Sequence, residues 1–136
     1  MTDNKKAGTL YEQIFISEAL QKGLDVSVPL GDYLPYDIVV DNGKKLQRIQ
    51  VKGTKHRQSS GYKVTIGKGN SANQKRVREK DSFDILAILV MENGNHHWYL
   101  IPEKSIGEII SLKVFPHPES RGKYEKYKHG WNLICT

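Results

Sequence analysis

Apolar residues recur at helical spacing through residues 9–22, at Leu10, Ile14, Phe15, Ala19 and Leu20 with Ile16 alongside. That pattern predicts an amphipathic helix, started by Gly8 and Thr9 and stopped at Gly23. Residues 24–28 alternate and predict a short strand, followed by a turn at Pro29 and Gly31. Residues 36–41 (YDIVVD) are rich in β-branched side chains and predict a second strand. Asp41-Asn42-Gly43 then carries a strong hairpin signal. Along residues 46–54 (LQRIQVKGT), Leu46, Arg48, Gln50 and Lys52 fall on one face, and Gln47, Ile49 and Val51 on the other. Residues 62–66 form another β-like run, and residues 67–80 are polar and basic, a loop or short helix. Residues 83–91 (FDILAILVM) are nearly all apolar, as in a central strand buried on both faces. A turn at residues 92–95 leads to a returning strand at 97–101. Proline at the first turn suits a helix over residues 102–110, and residues 121–131 predict a short helix or ordered tail. The order describes one mixed α/β domain over residues 1–136, with its first strands antiparallel.

Composition narrows the class. With 38% apolar and 26% charged residues, a chain of 136 residues builds one modest core and is not disordered. The single cysteine, Cys135, excludes an internal disulfide framework and a cysteine-based zinc finger. No run approaches the ~18 apolar residues of a membrane span. Residues 1–8 lack the apolar core of a signal peptide. The expectation is an intracellular protein of the cytoplasm or nucleoid, with no membrane partner.

Charge is distributed unevenly. The net charge is +6, yet residues 42–80 hold twelve lysines and arginines against one acid, Glu79. A surface serving only solubility intersperses both signs. A one-signed stretch of this kind suits a polyanion, and nucleic acid is the expected partner. An anionic membrane fits less well, because the segment has no amphipathic apolar helix to insert.

The chemistry sits on two neighbouring strands. Hairpin pairing across Asp41-Asn42-Gly43 brings Asp37 near Gln50, and Gln50 and Lys52, two residues apart, share a face. A carboxylate, a side-chain amide oxygen and a backbone carbonyl such as that of Val51 are the oxygens a hard Mg2+ ion takes. A lysine beside them orients or deprotonates an attacking water and stabilises charge on a phosphate. An ordinary surface hairpin with a solvent-facing Lys52 has the same spacing.

Asp37 followed by Gln50-Val51-Lys52, with Glu12 in an early helix, resembles the PD-(D/E)XK nuclease superfamily. The branch with glutamine in the third position is the most similar; it includes group I intron homing endonucleases and shares its architecture with archaeal Holliday-junction resolvases. The stretches GTLYEQIFISEALQKGLDVSVPLGD and PYDIVVDNGKKLQRIQVKGT carry the resemblance, supported by DSFDILAILV, WYLIP and YEKYKHGWNLI. It implies a restriction-endonuclease-like core: a mixed central β-sheet flanked by helices. It also implies a Mg2+-dependent DNA endonuclease, in which Asp37 is the principal metal ligand and Gln50 takes the usual Asp/Glu position. Lys52 is then the catalytic lysine and Glu12 an accessory carboxylate. Gln50 brings one oxygen and no charge, which leaves Asp37 and Glu12 to supply the negative charge.

Phosphate contacts are expected from Lys55, Arg57, Lys63, Lys68, Lys75, Arg76 and Arg78. Cutting both strands argues for a homodimer or tetramer. Two other classes share these features: a non-catalytic DNA-binding protein of the same fold, and an interaction protein whose basic face is incidental. His96 and His97 point to opposite faces of a strand with no third ligand nearby, which argues against zinc. Tyr33, Tyr62 and Trp98 offer stacking surfaces for bases, although core or rim packing is the commoner fate of scattered aromatics.

Overall fold

The computed structural model describes residues 3–58, 61–69, 75–117 and 122–136. Helix α1 (Asp3–Gln21) is followed by β1 (Asp25–Ser27), β2 (Ile38–Asp41) and β3 (Leu46–Thr54). Then come β4 (Arg57–Gln58), β5 (Gly61–Thr65), β6 (Ile85–Glu92) and β7 (Asn95–Pro102). A 3-10 turn at Glu103–Ser105 precedes β8 (Ser111–Val114). A second 3-10 turn (Glu125–Tyr127) and helix α2 (Asn132–Cys135) follow.

Five strands form one sheet in the order β1-β2-β3-β6-β7, and β4-β5-β8 form a second. In the large sheet only the β3–β6 pair is parallel; β1–β2, β2–β3 and β6–β7 are antiparallel. The apolar run of β6 explains its central place. Ile85, Ala87 and Leu89 face α1, while Leu86, Ile88 and Val90 face the small sheet, so each face of the strand serves a different core. On the first side Phe15 and Ala19 are fully buried, and Phe15 stacks on Trp131 at 5.2 Å between ring centroids. On the other, Tyr62, Val64, Leu112 and Val114 close over the sheet.

Helix α1 differs from its expected form. It begins ahead of Gly8, and its buried stripe is Tyr11, Phe15 and Ala19, four residues apart, while Leu10 and Leu20 are exposed. The helix expected over residues 102–110 is a single 3-10 turn and a loop. Its carbonyls explain why: those of Glu103, Ile106 and Gly107 accept from the Arg78 guanidinium, and that of Ile110 accepts from the Ile66 and Gly67 amides. Backbone groups spent this way are not available to a helix. Strands β4 and β8 have no counterpart in the sequence pattern. The basic stretch 67–80 forms neither helix nor simple loop in its described part: Lys68 and Arg76 exchange backbone hydrogen bonds of 2.7 and 2.9 Å. Residues 70–74 and 118–121 lie outside the described residues, and with them the start of the expected ordered tail.

Candidate active site

The β2–β3 hairpin sets the geometry. Asn42 holds its turn, its Oδ1 accepting from the Lys44 and Lys45 amides at 2.9 and 3.0 Å. Pairing then runs from Asp41–Leu46 to Ile38–Ile49, and the Asp37 amide donates to the Ile49 carbonyl at 2.9 Å. There β2 ends while β3 continues to Thr54, so β3 presents an open edge. Asp37 covers its beginning: the Val51 amide donates to Asp37 Oδ2 at 2.8 Å, and Gln50 Nε2 donates to the same oxygen at 3.0 Å. Backbone alternation puts the Val51 carbonyl on this same edge. Because the Gln50 amide turns its nitrogen to a carboxylate, its Oε1 is the acceptor left over.

A cleft of about 920 Å³ opens along the edge, lined by Glu12 and Tyr11 of α1, by Asp37, by Gln50 to His56, and by Lys63 from β5. Its electrostatics oppose full ionisation. Burial raises the Asp37 carboxyl above the usual aspartate range, against the Val51 hydrogen bond and the Lys52 charge, which pull it down. Burial and then the charge of Asp37 raise Glu12. Burial lowers the Lys52 ammonium, partly offset by Asp37 and reinforced by Lys75. Two carboxylates whose proton affinities are both raised, chiefly by burial, flanked by a neutral amide oxygen and a carbonyl, form an oxygen donor set suited to a hard dication. Among the described residues no group of three or more His, Cys, Asp and Glu is placed to bind a metal, so the neutral oxygens of Gln50 and Val51 would complete this set.

Tyr11 and Gly53 belong to the site and were not singled out in the sequence. A Cβ on Gly53 would lie 2.2 Å from the Tyr11 ring, so only glycine allows α1 to approach β3 this closely and bring Glu12 to the cleft. A glycine inside an alternating strand was the available signal.

The expected phosphate contacts divide. Lys55, Arg57, Lys63, Lys68 and Arg76 are exposed, and Lys55 and Lys63 line the cleft. Lys75 is half-buried and donates to the Gly69 carbonyl. Arg78 corrects the expectation: its side chain is 9% exposed, and Nη2 meets Glu103 Oε2 at 2.7 Å. Arg48 is likewise held by Asp84, at 3.1 Å. The strongly positive sum of residues 42–80 therefore includes two cations matched by acids outside the stretch. Of the aromatics, Tyr62 and Trp98 are core residues, whereas Tyr33 is 80% exposed. His97 and His117 meet opposite oxygens of Glu92 at 3.7 and 3.6 Å, apart from the cleft.

Several solved structures share the fold. The bacterial homing endonuclease I-Ssp6803I superposes with a TM-score of 0.81 at 24% identity, over 98% of this chain and 94% of that one. Archaeoglobus fulgidus Hjc, a Holliday junction resolvase from an archaeal hyperthermophile, gives 0.51 at 17% identity, over 89% and 95% of the two chains. MepB gives 0.50 at 15% identity, over 90% and 93%. No curated protein matches the sequence. The core is thus restriction-endonuclease-like, and the family pattern of PD-(D/E)XK endonucleases matches residues 2–134. A match running through both the hairpin and its flanking helix settles the kinship: the chain belongs to the PD-(D/E)XK endonuclease family.

Proposed function

We propose that this nuclease is a Mg2+-dependent DNA endonuclease that hydrolyses phosphodiester bonds, acting as one domain over residues 1–136 and as a homodimer or tetramer. The observation that carries the proposal is the open edge of β3, where Asp37 and Gln50 are hydrogen-bonded to each other and Lys52 follows in the same cleft.

Asp37, Glu12, the Gln50 amide oxygen and the Val51 carbonyl would hold the metal. When bound, Mg2+ supplies charge neutralisation at the phosphate and a more acidic water. The rest is done by the chain. The Val51 amide and Gln50 Nε2 fix one oxygen of Asp37 and so orient the carboxylate. Lys52 Nζ, its proton loosened by burial, would orient the attacking water and exchange a proton with it. Lys55 and Lys63 grip the DNA backbone across the cleft.

The test is a cleavage assay with Mg2+ on linear duplexes and four-way junctions, which also separates a homing-type from a resolvase-type substrate. Asp37→Asn and Lys52→Ala should each lose about 10³-fold or more in rate, ~4 kcal/mol of transition-state stabilisation, while still binding DNA. Near wild-type cleavage by either variant would sink the assignment. Binding without cleavage by the wild type would make the protein a DNA-binding member of the same fold.

A further inference from the structure

A second cavity, of about 420 Å³, shares Gln50 and Lys52 with the main cleft. Its walls differ in character. Ile66 and Phe83, both buried, form an apolar floor with Leu34 and Pro35 of the β1–β2 connection. Lys68 and Lys75 stand on its rim, where Glu79 is the only acid among the described lining residues. Tyr33, also on the lining, is 80% exposed, and the neighbouring Leu30 is 92% exposed. Of this connection Tyr36 packs against the second core, whereas Leu30 and Tyr33 belong to neither core.

We propose that this cavity is a nucleotide subsite, taking one unstacked base of the strand whose phosphate lies at Asp37 and Lys52, with Tyr33 stacking on that base. The assignment rests on the DNA-cleavage function proposed above. Three observations carry it. The volume falls in the range of roughly 300–1,000 Å³ typical of small-ligand sites. An apolar floor beneath a lysine rim complements a flat heterocycle attached to a phosphate. The shared Lys52 and Gln50 put the cavity directly beside the reaction centre, so one nucleotide can reach both. An exposed tyrosine at the mouth is the usual platform for a base that has left its stack.

The subsite makes a claim about substrate. Extruding a paired base is costly, and a mismatched or unpaired base is released most easily. Cleavage should therefore be faster where the base beside the scissile phosphate is mismatched, bulged or at a branch.

The test places 2-aminopurine singly at the nucleotides flanking the cleaved phosphate. DNA is bound by the Asp37→Asn protein, whose substitution lies outside the second cavity, and by wild type in EDTA. Emission should rise severalfold at one position. Tyr33→Ala should abolish the rise and weaken binding about tenfold, within the range for losing one base–aromatic stack. Ser82→Phe, which fills the cavity from its lining, should also abolish it, with the thermal midpoint showing that the fold is kept. With Mg2+, wild type should cut a duplex mismatched at that position severalfold faster than a fully paired one. Flat emission at every flanking position in a complex shown by anisotropy to be formed would overturn the subsite. So would a rise unaffected by both variants. A deoxynucleoside monophosphate that binds and is displaced by Ser82→Phe, with flat emission from DNA, would make this a site for free nucleotides and overturn the DNA assignment. Wild type that cuts DNA with flat emission removes the subsite alone, whereas wild type that cuts no DNA removes the proposed function instead.

Discussion

Lys52 and Arg78 are both cations of the basic stretch drawn in from the surface, and their surroundings differ. Arg78 is paired at both terminal nitrogens, with only its buried Nε left over: Nη2 pairs with Glu103 at 2.7 Å, carbonyls of Gly107 and Ile106 accept at 3.1 and 3.3 Å, and the guanidinium lies 5.5 Å from the centre of the Phe83 ring. Lys52 faces Asp37 across a cleft in which burial pushes both groups toward neutrality, and its neighbour Lys75 adds to the push. One cation is committed to holding the 103–107 segment against the body of the fold. The other is kept at an energetic disadvantage that a phosphate bound beside it would relieve. Charge counted along the sequence does not distinguish these two fates; the location of the nearest acid does.

Breaking the buried Arg78–Glu103 pair should have the largest effect on stability. Arg78→Ala leaves Glu103, only 5% exposed, without its partner and should cost ~3–5 kcal/mol in urea unfolding. Arg78→Met with Glu103→Leu should cost less than the single change. Lys52→Met should do the reverse and raise stability at neutral pH. The folded pKa of Lys52 lies below its unfolded value, so the unfolded chain holds the proton more tightly and wild-type stability rises with pH up to the ordinary lysine range. The gap between Lys52→Met and wild type should narrow accordingly. A Lys52→Met protein less stable than wild type across that range would erase the contrast.

Next in size is the response to metal. Mg2+ at a hundred times its Kd should stabilise the wild type by about 2.7 kcal/mol in a thermal-shift series. The gain should vanish in Asp37→Asn and shrink as pH falls through the raised carboxyl range of Glu12 and Asp37, where protons compete with the metal. Gln50→Glu should enlarge it. A thermal shift independent of residue 37 would place the metal elsewhere.

The smallest expected effect concerns the surface. Arg76→Ala should make the slope of log affinity against log salt shallower by about one unit, the share of a single phosphate contact. Arg78→Met with Glu103→Leu should leave that slope unchanged. Equal changes from both would mean that Arg78 reaches DNA after all.

The elements that position the candidate site were largely legible. The alternation of residues 46–54 matches β3 residue for residue, and the hairpin turn fixed the register that brings Asp37 to Gln50. What escaped depends on partners far along the chain. Residues 102–110 have a helical start signal, but Arg78, some 25 residues earlier, claims their carbonyls. Strand β4 has two residues and β8 four, too short for periodicity to register. Leu10 looked like core because its spacing permits it; Tyr11 is buried instead because Gly53 makes room for its ring.

The parallel pairing of β3 with β6 has a kinetic consequence. Asp37 and Gln50 meet through a local hairpin that closes within microseconds. Lys52 lies opposite Ile88, across a connection of residues 55–84, and such non-local pairing forms late. A chain emerging from the ribosome therefore acquires its carboxylate–amide pair first, and the burial that loosens the lysine proton only after β6 has been synthesised and docked. The nascent nuclease is chemically incomplete until most of its length has folded.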